Sequence, residues 1–158
     1  MEGQIHQKIL SLLINMKLVK DKFFKNDKRF KDIKIGEEFN FTKVITKSII
    51  QKYASLIGDK NPQHFKSKKN NSKIIAHGML GGSFVSTLLG SFFPIKNNIL
   101  LSINLNFKSP ILPGNKIKVV TSVTNKSDFS KTVILDINIY RYKKILIFGE
   151  AIIKVNSE

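Results

Sequence analysis

The chain has 158 residues and no cysteine, and its 27 basic and 11 acidic side chains give a formal charge of +16. That length suits one domain with a core of its own, and the missing cysteine excludes a disulfide scaffold, a thiolate zinc site, an iron–sulfur cluster and a cysteine nucleophile. The charge attracts anionic partners, whether nucleic acid, an anionic membrane, a phosphate-bearing cofactor or an acidic carrier protein, although a chain rich in lysine, asparagine and isoleucine also fits a biased codon pool.

At the N-terminus Ile5, Ile9, Leu12, Met16, Val19 and Phe23 recur at steps of four and three, which predicts an amphipathic helix. Lys17 and Lys20 interrupt it too early for a transmembrane span. No small-residue cleavage site follows, which argues against a secretory signal. Residues 1–33 are therefore expected to form a basic helical extension, either packed on the domain or acting as a transit segment. Its predominance of lysine over arginine, together with Asp21 and Asp27, favours packing. The expected location is cytoplasmic, or a mitochondrial or plastid matrix if the extension targets.

Residues 34–158 read as the domain proper. The alternation of Phe39, Phe41 and branched residues between Gly36 and Thr46 predicts a strand. Thr46 then suits a helix N-cap, and Ile49, Ile50, Tyr53, Ala54 and Ile57 follow at helical spacing up to Gly58, a C-terminal capping glycine. Asp59-Lys60-Asn61-Pro62 predicts a turn. A lysine- and asparagine-rich stretch at 65–73 reads as a solvated loop or short helix. The apolar run Met79 to Phe93 contains Gly81, Gly82, Ser83, Ser86 and Gly90, so it predicts a buried helix with close neighbours. Four strands are expected near 99–108, 116–124, 131–140 and 144–155, antiparallel because no crossover helices separate them. The fold class is α+β, a sheet wrapped round one buried helix.

Of the three histidines, His6 falls in the N-terminal segment, leaving His64 and His77. Asp59 and His64 flank a rigid turn, which can aim a carboxylate and an imidazole at one cavity as an acid/base pair. His77-Gly78 directly precedes the buried helix, whose first backbone N–H groups are unpaired and can stabilise a developing oxyanion. Glycine there lets a ligand carbonyl approach the backbone. Each residue also has a structural reading: Asp59 suits a turn cap, and a histidine beside an apolar helix is commonly a satisfied structural group.

Taken together, GDKNPQH at 58–64, AHGML at 76–80, the small-residue apolar helix and FKSPILPGN at 107–115 resemble the MaoC-like hydratase family, and within it the (R)-specific enoyl-CoA hydratases and 3-hydroxyacyl-thioester dehydratases. The resemblance covers about residues 34–155. It implies a hotdog fold, an antiparallel sheet wrapped around a long central helix with the N-terminal helix added, and a homodimer that binds acyl thioesters near its interface. It further implies a hydro-lyase of fatty-acid metabolism: reversible hydration of a trans-2-enoyl thioester of coenzyme A or acyl carrier protein to the (R)-3-hydroxyacyl thioester, with no metal or redox cofactor.

Carried over by position, Asp59 and His64 match the catalytic pair and Gly78 the backbone donor to the thioester carbonyl. Asn61 matches the residue supporting the turn, and Ser86 a hydroxyl within the site. His77 is placed with the substrate-binding residues, and Phe84, Leu88 and Leu89 are the expected acyl-pocket lining, each equally suited to the core. Lysines 60, 66, 68, 69 and 73 flank the expected mouth, where they suit the phosphates of coenzyme A or an acidic carrier. The chain departs from the family pattern at Lys66, often acidic, at 71–74, usually glycine- and arginine-bearing, and at Asn115, commonly aspartate.

Two other readings compete. A non-catalytic basic hotdog module could hold RNA or another anionic partner, but aromatics are not interleaved with the lysines at 60–73, so nucleic acid is not expected. A hotdog thioesterase shares the fold, but the position of the Asp–His motif argues against it.

Overall fold

The structure, a computed structural model, describes residues 28–65 and 74–156. The predicted N-terminal helix lies outside these residues; Phe30 and Ile33, at the end of the expected 1–33 extension, are 4% and 1% exposed and belong to the core. A short 3₁₀ turn at Phe30–Asp32 precedes strand β1, Glu38–Val44. Helix α1 spans Lys47–Ile57, and a second 3₁₀ turn covers Pro62–His64. Helix α2 spans Gly78–Ser91, followed by strands β2 (Asn98–Phe107), β3 (Lys116–Ser127), β4 (Thr132–Arg141) and β5 (Lys144–Val155).

The five strands form one antiparallel sheet in the order β1-β3-β4-β5-β2. Its inner face follows from the period-2 alternation of branched residues. Ile117, Val119 and Val123 on β3, Val133, Leu135, Ile137 and Ile139 on β4, and Ala151, Ile153 and Val155 on β5 are all buried. They pack around α2, from which Leu80, Phe84, Val85, Leu88 and Leu89 are buried. This is the α+β hotdog arrangement expected from the sequence.

Small residues let the helix lie close to the sheet. A methyl group on Gly81 would come within 2.5 Å of the Ile147 side chain and 2.9 Å of that of Ile111. The strand order leaves β1 and β2 at the two edges, and β2 exposes apolar side chains on both faces, among them Ile99, Leu101, Ile103 and Phe107.

Local caps behave as the sequence predicts. The Thr46 hydroxyl accepts from the Ile49 N–H at 3.2 Å, and Gly58, with φ 72°, closes α1 in the left-handed region that favours glycine. Asn115 fastens its turn: its side-chain oxygen accepts from the Leu112 N–H at 3.1 Å.

Candidate active site

The turn after α1 builds the site through short-range bonds. Asp59 Oδ1 accepts the Asn61 N–H at 2.8 Å, and Asn61 Oδ1 accepts the Gln63 N–H at 3.1 Å, starting the 3₁₀ turn that ends on His64. Asn61 thus sets the turn, and Pro62 at its start is preorganised for it. With Oδ1 engaged, Asp59 presents Oδ2 to both imidazoles, 3.7 Å from His64 Nε2 and 3.5 Å from His77 Nε2.

His64 is 8% exposed, and its Nδ1 lies 2.9 Å from the Ile75 carbonyl oxygen. A carbonyl only accepts, so Nδ1 carries the proton and Nε2 faces Asp59 with its lone pair when the ring is neutral. The gap to Oδ2 exceeds a hydrogen bond, which leaves both atoms free to engage the same water molecule.

His77, the residue before α2, is 4% exposed, and neither of its ring nitrogens has a hydrogen-bond partner. Its ring stacks on that of His64, with centroids 3.5 Å apart and 25° between planes, and meets the Tyr53 ring edge-on at 5.3 Å. Burial and the neighbouring His64 hold the pKa of His77 below the ordinary histidine value, against an upward pull from Asp59.

Asp59, His64 and His77 offer three donor atoms within 4.8 Å of one another.

Gly78 opens α2, so its N–H has no partner within the helix and sits at the positive end of the helix dipole. A cavity of about 240 Å³ lies against it, lined by Ile75, His77, Gly78, Phe107, Lys108 and Ile147 among others. A Cβ on Gly78 would come within 3.0 Å of the Phe107 ring, so the residue must stay small for anything to share that space.

The structure thus brings Asp59, His64, His77 and Gly78 to one end of α2. Phe84, Leu88 and Leu89 sit in the hydrophobic core, and the cavity is lined instead by the 75–78 and 107–111 segments. Ser86 is exposed on α2, on the side of the helix that carries the exposed Met79. Lys60 is exposed beside the turn, while lysines 66, 68, 69 and 73 lie outside the described residues. The sequence reading missed the anchoring carbonyl of Ile75, which no side-chain pattern encodes. It also missed Phe107 as a wall of the site, although that residue opens the FKSPILPGN motif.

This fold, an antiparallel sheet around α2, defines a hotdog protein. The MaoC like domain family model matches residues 4–139, and the chain belongs to that family. The (R)-specific enoyl-CoA hydratase of Rhodospirillum rubrum is 32% identical over 130 residues, covering 80% of this chain and 90% of its own. The 3-hydroxybutyryl-CoA dehydratase of Methylorubrum extorquens is 27% identical over 130 residues, covering 80% of this chain and 83% of its own. Among solved structures, the (R)-hydratase from A. caviae superposes with a TM-score of 0.74 at 27% identity, covering 79% of this chain and 98% of its own. The unliganded R-hydratase from Pseudomonas aeruginosa gives a TM-score of 0.75 at 27% identity, covering 82% of this chain and 86% of its own.

Proposed function

We propose that the protein is a hydro-lyase that adds water reversibly across the C2–C3 double bond of a trans-2-enoyl thioester, giving the (R)-3-hydroxyacyl thioester. The observation that carries this reading is the pairing of Asp59 Oδ2 with His64 Nε2, two proton-accepting atoms that can hold one water, next to the open N-terminus of α2. The thioester carbonyl accepts from the Gly78 N–H, which stabilises the enolate-like charge formed in either direction. The water oxygen bonds to C3, one of its protons passes to the Asp59–His64 pair, and a proton is delivered to C2. The pair acts as one coupled acid/base unit.

The acyl carrier is coenzyme A or an acidic carrier protein. The formal charge of +16 favours approach of either anion. The working unit is a homodimer, a reading supported by the open edge of β2 and its exposed Ile99, Leu101, Ile103 and Phe107.

The test follows the loss of enoyl absorbance with crotonyl-coenzyme A and with crotonyl carrier protein. Asp59→Asn and His64→Ala should each lower kcat about 10²–10⁴-fold with the fold retained. Full activity in both variants, or no turnover of either thioester by the wild-type chain, would overturn the reading.

A further inference from the structure

The two imidazoles at Asp59 are held differently. His64 is fastened through Nδ1 to the Ile75 carbonyl, whereas both ring nitrogens of His77 are buried without a hydrogen-bond partner. Buried ring nitrogens are normally satisfied, so an orphaned pair beside a candidate site calls for an explanation. Asp59 Oδ2 lies 3.5 Å from His77 Nε2, slightly closer than the 3.7 Å that separates it from His64 Nε2. One carboxylate oxygen therefore faces two stacked rings.

We propose that His77 is a positioning residue for the hydration reaction: its neutral imidazole, in the Nε2–H form, points a proton at Asp59 Oδ2 and presents a ring face to His64, which keeps the carboxylate and the His64 ring aligned on the same water. This rests on the hydratase reading above and adds a third side chain to it.

The charges around His77 favour this division of labour. Asp59 faces it from the turn after α1, His64 from the 3₁₀ turn, the Tyr53 ring edge from α1, and Lys108 lies across the cavity that His77 helps to line. Two imidazolium rings in face-to-face contact repel, which disfavours charging both. Burial, and after it the neighbouring His64, disfavours the charge on His77. A neutral ring beside a carboxylate is most stable with its N–H toward the oxygen, which selects the Nε2–H tautomer. The 3.5 Å separation tightens once water and substrate fill the site, as hydrogen bonds of ligand-free sites commonly do.

Two variants separate this role from simple packing. His77→Phe keeps a flat ring to stack but has no N–H, whereas His77→Gln gives up the ring and restores an N–H donor. With crotonyl thioester, His77→Phe should lose about tenfold or more in kcat, with KM within about twofold, because an interaction made in the transition state is removed. His77→Gln should recover a substantial part of that loss. Wild-type kcat in His77→Phe, or equal losses in both variants with raised KM, would overturn the proposal.

A second measurement does not depend on turnover. Imidazole ¹⁵N NMR of the full chain, assigned with the same variants, should find His77 neutral in the Nε2–H form at pH values below the ordinary histidine pKa. A charged His77 there, or the Nδ1–H form, would overturn the proposal. If the wild-type chain hydrates neither thioester, the reaction reading fails on its own, and the NMR result still decides whether His77 is arranged as proposed.

Discussion

Strands β4 and β2 have the same length, ten residues each, and a similar apolar character, yet they meet water very differently. On β4, Val133, Leu135, Ile137 and Ile139 are 0% exposed. On β2, the residues paired with the buried side of β5 remain open: Leu100 is 36%, Ile103 37% and Phe107 51% exposed. Neighbours make the difference. Among the described residues, β4 lies between β3 and β5, whereas β2 pairs with β5 alone. A strand with the composition of an interior strand and the exposure of an edge is suited to a second neighbour from another molecule, which is why we propose a homodimer. The open strand also reaches the site, since Phe107 at its end lies against Gly78. In the dimer we propose, covering β2 would also close the site beside Phe107.

Matched truncations test this contrast most strongly. Leu135→Ala on β4 removes a fully buried side chain and should cost about 2–5 kcal/mol of unfolding free energy in denaturant titration. Leu101→Ala on β2, at a position 54% exposed, should cost the folded chain less than about 1 kcal/mol. It should instead weaken self-association measured by analytical ultracentrifugation. Equal losses of stability at the two positions, with association unchanged, would dissolve the distinction between the strands.

The contact between β2 and β5 offers the next test. A Cβ on Gly149 would lie 1.9 Å from the Asn104 carbonyl oxygen, a backbone atom of β2 that cannot rotate away. Gly149→Ala should therefore push the edge strand off its partner at a cost of about 1–3 kcal/mol. Amide hydrogen exchange should speed up on β2 while β3 and β4 keep their protection. Uniform acceleration across the sheet would mean that β2 unfolds with the rest and is not a separable edge.

Much of this was legible in the sequence, for physical reasons that differ along the chain. Branched residues at period 2 announce β3, β4 and β5 because their two faces meet different surroundings. Thr46 and Gly58 mark the ends of α1 because capping is local chemistry. The turn 58–64 was readable for the same reason, since its hydrogen bonds run between residues two apart, Asp59 to Asn61 and Asn61 to Gln63. What escaped notice depends on distant parts of the chain. The stacking of His64 on His77 joins two segments separated by a lysine-rich stretch, and nothing in either segment specifies the geometry. Phe84, Leu88 and Leu89 read equally as pocket or core, because an apolar helix face looks alike in both. Only the packing of α2 against the sheet assigns them to the core.

The smallest effect we expect separates site from sheet by pH. The inner face of β4 has no titratable group, whereas the site buries His77 with its pKa below the ordinary histidine value, owing first to burial and then to His64. The unfolded chain then binds a proton that the folded chain refuses. The stability contributed by neutral His77 is full above the ordinary histidine pKa and is lost as pH falls from that value toward the lower folded one. His77→Phe should flatten this part of the stability–pH curve, and Leu135→Ala should shift the whole curve downward with its slope intact. Denaturant midpoints taken between about pH 7.5 and pH 5.5, a range spanning the ordinary histidine titration, will show it. If the slope survives in His77→Phe, the proton that opposes folding belongs to another group, and the burial of His77 is not what makes the site acid-sensitive.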